Sequence, residues 1–258
     1  MTTLSSDISL DHVIVYAAND LAGLVAFFER AGFQLTPLGR HDSGSVNRLA
    51  MLDGQYIELM GFEPGTPATV RPQIQSMPVG LNGIVVADRA TDVRRMATEA
   101  FDPPVLLERP VDTPDAKGTA KFSITHPREG AADVRTFMCR HHTPELVWQS
   151  AWQAHPNGAL RVDEVAVATQ YARRVHEGLR KVLDIEGGDQ DVAYDAAGTR
   201  VRVLANGERA TLVVRTGSLP AALEVLRRSG VPHTQGGSRV IVPLPAPYAV
   251  DLVFEAAA

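Results

Sequence analysis

Cysteine is nearly missing from this chain of 258 residues. Cys139 is the single one, so no internal disulfide can form, which fits a reducing cytoplasm. No apolar run approaches the roughly 20 residues of a transmembrane helix, and no membrane partner is expected. The opening MTTLSSDISL lacks the basic start and apolar stretch of a secretory signal, so a cytoplasmic location is predicted. Positive charge is not in excess either. Against 30 Asp and Glu stand 25 Lys and Arg, a net charge of -5 that argues against nucleic acid as a partner. The pattern Gly-x-Gly-x-x-Gly does not follow any strand, and no lysine-bearing phosphate loop occurs, so no nucleotide cofactor is implied. What remains is 45% hydrophobic and 21% charged, the balance of an ordinary soluble protein with ample core.

Within that background, Leu10 to Ala17 (LDHVIVYA) is a short apolar run rich in β-branched residues, read as a mostly buried strand. Alternation puts His12, Ile14 and Tyr16 on one face. Gln55 to Met60 repeats the pattern, with Glu58 the single carboxylate in an apolar strand. A lone buried imidazole or carboxylate needs a partner or a ligand, because an unpaired buried charge costs several kcal/mol. The two are therefore expected to meet. The plainer reading is a buried ion pair, or a core histidine bonded to a backbone carbonyl.

The stretch between them reads in order. Asn19-Asp20 starts a helix whose apolar positions are Leu21, Leu24, Val25, Phe27 and Phe28, ended by Gly32. Strands are predicted at Phe33–Thr36, at Arg48–Leu52 and at Tyr56–Met60, the last two joined by the Asp53-Gly54 turn. The same order recurs from Leu81, with a strand to Ala87, a helix over Thr91–Phe101, and strands at Val105–Leu107, Phe122–Thr125 and Val134–Cys139. A loop rich in Pro and Asp is expected between Pro110 and Gly118. A third unit opens at Val162, where Glu164 stands in the place of His12. It has a helix over Tyr171–Leu183 and strands around Asp191–Tyr194 and Arg200–Leu204. A fourth opens at Ala210, has a helix over Leu219–Arg228, and closes on Tyr248–Phe254 with Asp251 near the Glu58 position. The turn-forming His155-Pro156-Asn157-Gly158 marks the main boundary, between a first domain over 8–150 and a shorter one over 158–256.

This paired β-α-β-β-β unit, with LDHVIVYA as first strand and YIELM as fourth, resembles the vicinal oxygen chelate superfamily. That group includes glyoxalase I, the extradiol dioxygenases and the bleomycin-resistance proteins. HDSGSVNRLAMLDGQYIELMGF together with HPNGA is similar to its glyoxalase-like domain group. The resemblance implies an α+β fold: four βαβββ units paired into two cup-shaped, mixed β-sheet domains around a divalent metal. His12 then matches the first-strand ligand and Glu58 the fourth-strand ligand. Asn82 sits where the enzymes place a second histidine, and the fourth strand of the second unit has no glutamate, so His141 or His142 is the candidate third ligand. Imidazole and carboxylate suit zinc, iron, manganese or nickel.

The remaining candidates surround that pair. Glu58, Arg48 and His41 are the predicted catalytic residues, with Arg48 pointing inward to a substrate carboxylate. Asn47, Ser45, Tyr16 and Trp148 are the predicted substrate contacts. Adjacent histidines on a strand face opposite ways, so at most one of His141 and His142 shares a face with Cys139. Cys139 as a nucleophile has no visible activating neighbour. The leading expectation is a metal-dependent lyase or isomerase on a small carbonyl or hydroxy acid. The rivals are a metal-free binding protein of the bleomycin-resistance type and an extradiol-type dioxygenase. Open sheet edges would also suit a homodimer.

Overall fold

The computed structural model describes residues 8–41, 43–88, 98–113, 116–184 and 194–257. The chain runs β1 (Ile8–Tyr16), α1 (Leu21–Arg30), β2 (Gly39–Arg40), β3 (Val46–Met51), β4 (Tyr56–Gly61), α2 (Pro72–Gln75), β5 (Gly80–Asp88), β6 (Val105–Asp112), β7 (Lys117–Thr125) and β8 (Arg135–His141). It continues with β9 (Ala159–Thr169), α3 (Ala172–Leu183), β10 (Tyr194–Ala196), β11 (Thr199–Ala205), β12 (Ala210–Thr216), α4 (Leu219–Arg228), β13 (Thr234–Gly236), β14 (Arg239–Pro243) and β15 (Val250–Ala256). Helix α1 starts where Asp20 accepts from the Gly23 amide at 3.0 Å, and it buries the five apolar residues its spacing predicts.

Two mixed sheets result. The first has eight strands in the order β2-β3-β4-β1-β5-β8-β7-β6, and the second seven in the order β10-β11-β9-β12-β15-β14-β13. Each is built on a central antiparallel pair, β1 with β5 and β9 with β12. Parallel partners flank that pair, β4 and β8 in the first sheet and β11 and β15 in the second. This is the α+β cup expected from the repeat. Of the third unit's two expected strands, the one around Asp191–Tyr194 lies outside the described residues up to 193, with Tyr194 opening β10, and Arg200–Leu204 falls within β11.

Three local readings change. Phe33–Thr36 forms no strand: Phe33 and Leu35 drop into the core, and the Thr36 hydroxyl takes the Leu49 amide at 3.0 Å where a ladder carbonyl would stand. The Pro110–Gly118 loop is largely a hairpin, because β6 and β7 stay paired out to Asp112 and Lys117. The helix predicted over Thr91–Phe101 lies outside the described residues up to 97, and 98–101 form a turn ending in the Phe101–Pro127 bridge. No described helix is long and apolar enough to cross a membrane.

The main core draws side chains from both sheets, with Phe33 stacked on Phe254 at 5.8 Å between ring centres. The predicted joint is pinned within it. His155 Nδ1 accepts the Gln34 amide at 3.0 Å, and its Nε2 donates to the Met51 carbonyl at 2.7 Å. Asn157 donates to the Ala31 carbonyl at 2.9 Å. A second apolar cluster, including Ile14, Tyr16, Met60, Val85, Phe137 and Cys139, coats the concave face of the first sheet. That face is the cup.

Candidate active site in the first sheet

His12 and Glu58 both look into the cup, with Nε2 and Oε2 3.6 Å apart and both residues buried. The parallel register of β1 and β4 explains why: Ile14 pairs with Glu58, one alternation beyond the His12–Tyr56 pair. The His12 ring lies flat on Tyr56, 4.3 Å away and tilted by 13°. Its Nδ1 donates to Asp11 Oδ1 at 2.6 Å, which fixes the ring with Nε2 turned toward Glu58.

Asp11 is the residue that alternation hides. Leu10 pairs with Val86 and His12 with Val85, so Asp11 is the unpaired extra residue of a β-bulge. The bulge turns neighbours 11 and 12 to the same side, and it brings Leu10 and Val13, three apart, onto the core face. The only sequence signal is a carboxylate directly before the histidine in an apolar strand. Burial alone would raise the Asp11 carboxyl, but charge on His141 and hydrogen bonds from His12 and His141 outweigh it and hold it well below the usual range. Glu58 follows the same logic. Burial raises it, while His12, His41, the 2.7 Å bond from Asn47 Nδ2 and Arg135 bring it below its ordinary value.

The rest of the cup is cationic. Arg71, Arg109 and Arg135 line it, none of them singled out from the sequence. Arg71 donates to Ser43 and Ser45 hydroxyls at 3.2 and 3.1 Å. The Nε of Arg135 is shielded from solvent and has no hydrogen-bond partner, and one terminal nitrogen reaches only the Met60 sulfur at 3.8 Å. Burial, then the neighbouring Arg71, press the Arg135 pKa down to about 10 against the pull of Glu58. Nearby His126 is pushed to about 4 by burial, Arg135 and Arg71. An oxyanion in the cup would answer this field. The open space at its floor is small, about 70 Å³, which restricts guests to few heavy atoms.

Several expectations need correction. Arg48 points out of the cup. Its guanidinium holds the Thr36 carbonyl at 2.7 Å and Glu29 at 2.8 Å, because Asn47 rather than Arg48 takes the inward alternation on β3. Tyr16 is buried against Phe62 beneath the lining and does not reach the cavity surface. His142 is turned away, exposed and bonded to Ser123 Oγ at 2.8 Å. His141 faces inward but meets Asp11 Oδ1 at 3.3 Å rather than the His12–Glu58 gap. Trp148 sits edge-on to His141 at 4.7 Å, in a neighbouring cleft. His41, Ser45 and Asn47 do line the cup, with Asn47 donating to both His41 Nε2 at 3.0 Å and Glu58.

The second unit repeats the geometry without the chemistry. Ile14 pairs with Gly83 and Val15 with Leu81, so Asn82 is the extra residue of a matching bulge. Asn82 therefore corresponds to Asp11, and Gly83, not Asn82, stands in the place of His12. Val85 pairs with Phe137, which puts Phe137 in the place of Glu58. In the second sheet the bulge recurs at Asp163, with Glu164 in the His12 place. There Arg200 and Arg202 hold Glu164 at 3.4 and 3.2 Å, and Arg209 holds Asp251 at 2.7 Å.

A family model described as a glyoxalase-like domain matches residues 10–183. No curated protein matches the chain. Among solved structures, a hypothetical protein from Staphylococcus aureus superposes at TM-score 0.65 with 13% identity, covering 97% of this chain and 100% of that one. A xylose isomerase-like TIM barrel/4-hydroxyphenylpyruvate dioxygenase fusion protein superposes at 0.58 with 10% identity, covering 100% of this chain and 50% of its own length. A mutant of 4-hydroxymandelate synthase from Streptomyces coelicolor superposes at 0.56 with 11% identity, covering 99% and 95%. At these identities the likeness is one of fold.

Proposed function

The chain belongs to the glyoxalase-like domain family, and on that footing we propose that its cup is the active site of a metal-dependent isomerase or lyase for a small carboxylate-bearing carbonyl or hydroxy acid. The observation that carries this reading is the His12–Glu58 pair, facing across 3.6 Å at the floor of an arginine-lined cavity.

The donor set fits a divalent ion. Two donors each about 2.1 Å from one ion can lie at most about 4.2 Å apart, and these lie within that limit. Asp11 on Nδ1 supplies the orienting carboxylate that ligating histidines carry. A zinc, iron, manganese or nickel ion held by His12 and Glu58 would supply Lewis acidity toward a substrate oxygen. The chain's own residues do the rest. Arg135 offers its unpartnered Nε to the substrate carboxylate, with Arg71 and Arg109 on the flanks. Glu58, kept ionised by its neighbours, is placed to take a proton from the carbon beside the carbonyl, and His41, 3.9 Å away, to share it. Tyr56 and Phe137 against the His12 ring keep water from its faces.

The test is metal analysis of protein purified without chelator. His12→Ala is expected to remove one equivalent of bound divalent metal, and Glu58→Gln to weaken its hold; unchanged metal in His12→Ala ends the proposal. Gly83 and Phe137 in the second unit's ligand positions favour one other reading, a metal-free binding protein. That reading predicts a thermal shift with a small 2-oxo acid that persists in excess chelator. An oxygenase resembling the named dioxygenase ranks lower, because Glu164 and Asp251 are already engaged by arginines. Iron-dependent, aerobic ring cleavage would reverse that order.

A further inference from the structure

Next to the Asp11 carboxylate lie two donors, Cys139 and His141, that the proposed chemistry leaves unused. Asp11, Cys139 and His141 present one ligand atom each, all within 4.8 Å of one another. They come from β1 and from alternate positions of β8, so the bulge at Asp11 is what brings the trio together. The symmetry places Gly83 and Phe137, not these residues, in the family's ligand positions.

Asp11 Oδ1 already holds His12 at 2.6 Å, while Cys139 and His141 are only loosely paired. Asp11 Oδ1 at 3.3 Å and Cys139 Sγ at 3.6 Å both face His141 Nε2, and one N–H cannot serve both. A cation between the three would use carboxylate, thiolate and imidazole at once. The spacings to His141, 3.3 and 3.6 Å, fall inside what bonds of about 2.1 Å to nitrogen and oxygen and about 2.3 Å to sulfur allow. A neighbouring cleft of about 300 Å³ opens on all three and offers an entry path and room for a water as fourth ligand.

We propose that Asp11, Cys139 and His141 form a second cation site, suited to zinc or another thiolate-preferring divalent ion, in the wall between the cup and the adjoining cleft. Carboxylate and thiolate together balance the charge of the ion in a buried setting, and sulfur selects against magnesium and calcium. Binding displaces the thiol proton to solvent as the sulfur–metal bond forms, so affinity rises with pH. Burial, reinforced by Asp11 and Glu58, keeps the metal-free thiol protonated at neutral pH. The two sites share Asp11, which also orients His12, so they are told apart by substitutions at Cys139 and at Glu58.

Cobalt titration of the untagged full chain, stripped with chelator and kept reduced with a phosphine, reads the site directly. Only Cys139 can give a sulfur-to-cobalt charge-transfer band in the near ultraviolet, since it is the one cysteine. The expected result is a band whose final intensity corresponds to one thiolate-bound cobalt per chain, which bleaches when zinc displaces cobalt and persists in Glu58→Gln. Cys139→Ser should abolish it, and His141→Gln should weaken cobalt binding at least tenfold. Wild-type protein that binds cobalt without the band, or binds none, overturns the proposal whether or not the variants fold. Loss of the band in Glu58→Gln overturns it too, because the two sites would then be one.

Discussion

At the scale of single residues, charge complementarity decides what the cup holds. Arg135→Gln removes the buried guanidinium whose Nε lacks a partner. It is expected to weaken binding of a small 2-oxo acid such as pyruvate by about tenfold or more, about 1.4 kcal/mol, read by calorimetric titration. Arg48→Ala should leave that affinity unchanged and lower stability by about 1–2 kcal/mol, because its contacts are the Thr36 carbonyl and Glu29. Acid should act through Asp11 and Glu58. Both are held below their ordinary values of 3.8 and 4.5 in the folded chain. The unfolded carboxyls therefore take up protons first as pH falls, and the stability they contribute at neutral pH is lost progressively from about pH 5 downward. Denaturation midpoints measured across pH 7 to 3 should fall, and fall less steeply in Glu58→Gln.

At the scale of elements, bulges and close approaches control the cup. The bulge at Asp11 turns an ordinary alternating strand into one that presents an aspartate and a histidine together. Opposite it, Gly83 leaves room for Ile14: a Cβ there would lie 2.7 Å from the Ile14 side chain. Gly83→Ala is thus expected to cost about 1–3 kcal/mol, measured as a lowered denaturation midpoint. The same crowding explains why a histidine in this position could not restore the missing ligand without moving β1. Alternation from the sequence located His12 and Glu58 because each lies in an unbroken stretch beyond the bulge. It misplaced Arg48 because the inward residue of β3 depends on where that strand meets β4, and Leu49 pairs with Glu58 there.

At the scale of the whole molecule, the two sheets share one core. Phe33 on Phe254, and Gln55 reaching Thr199 at 2.8 Å and the Val162 amide at 2.9 Å, tie them across the predicted boundary. A single cooperative unfolding transition is expected by calorimetry, and two separated transitions would contradict it. His155→Ala, which removes the bonds to Gln34 and Met51, should lower stability by about 1–3 kcal/mol without altering ligand affinity at the distant cup.

The sequence by itself determined the repeat, helices α1, α3 and α4, and the meeting of His12 with Glu58, because apolar periodicity and parallel pairing are local consequences of residue order. Only the tertiary structure decided that Asp11 stands behind His12, that Arg71, Arg109 and Arg135 line the cup in place of Arg48, and that His141 turns toward Cys139. Those placements depend on a one-residue bulge and on the register between strands far apart in the chain. A linear pattern of residue types carries no record of either.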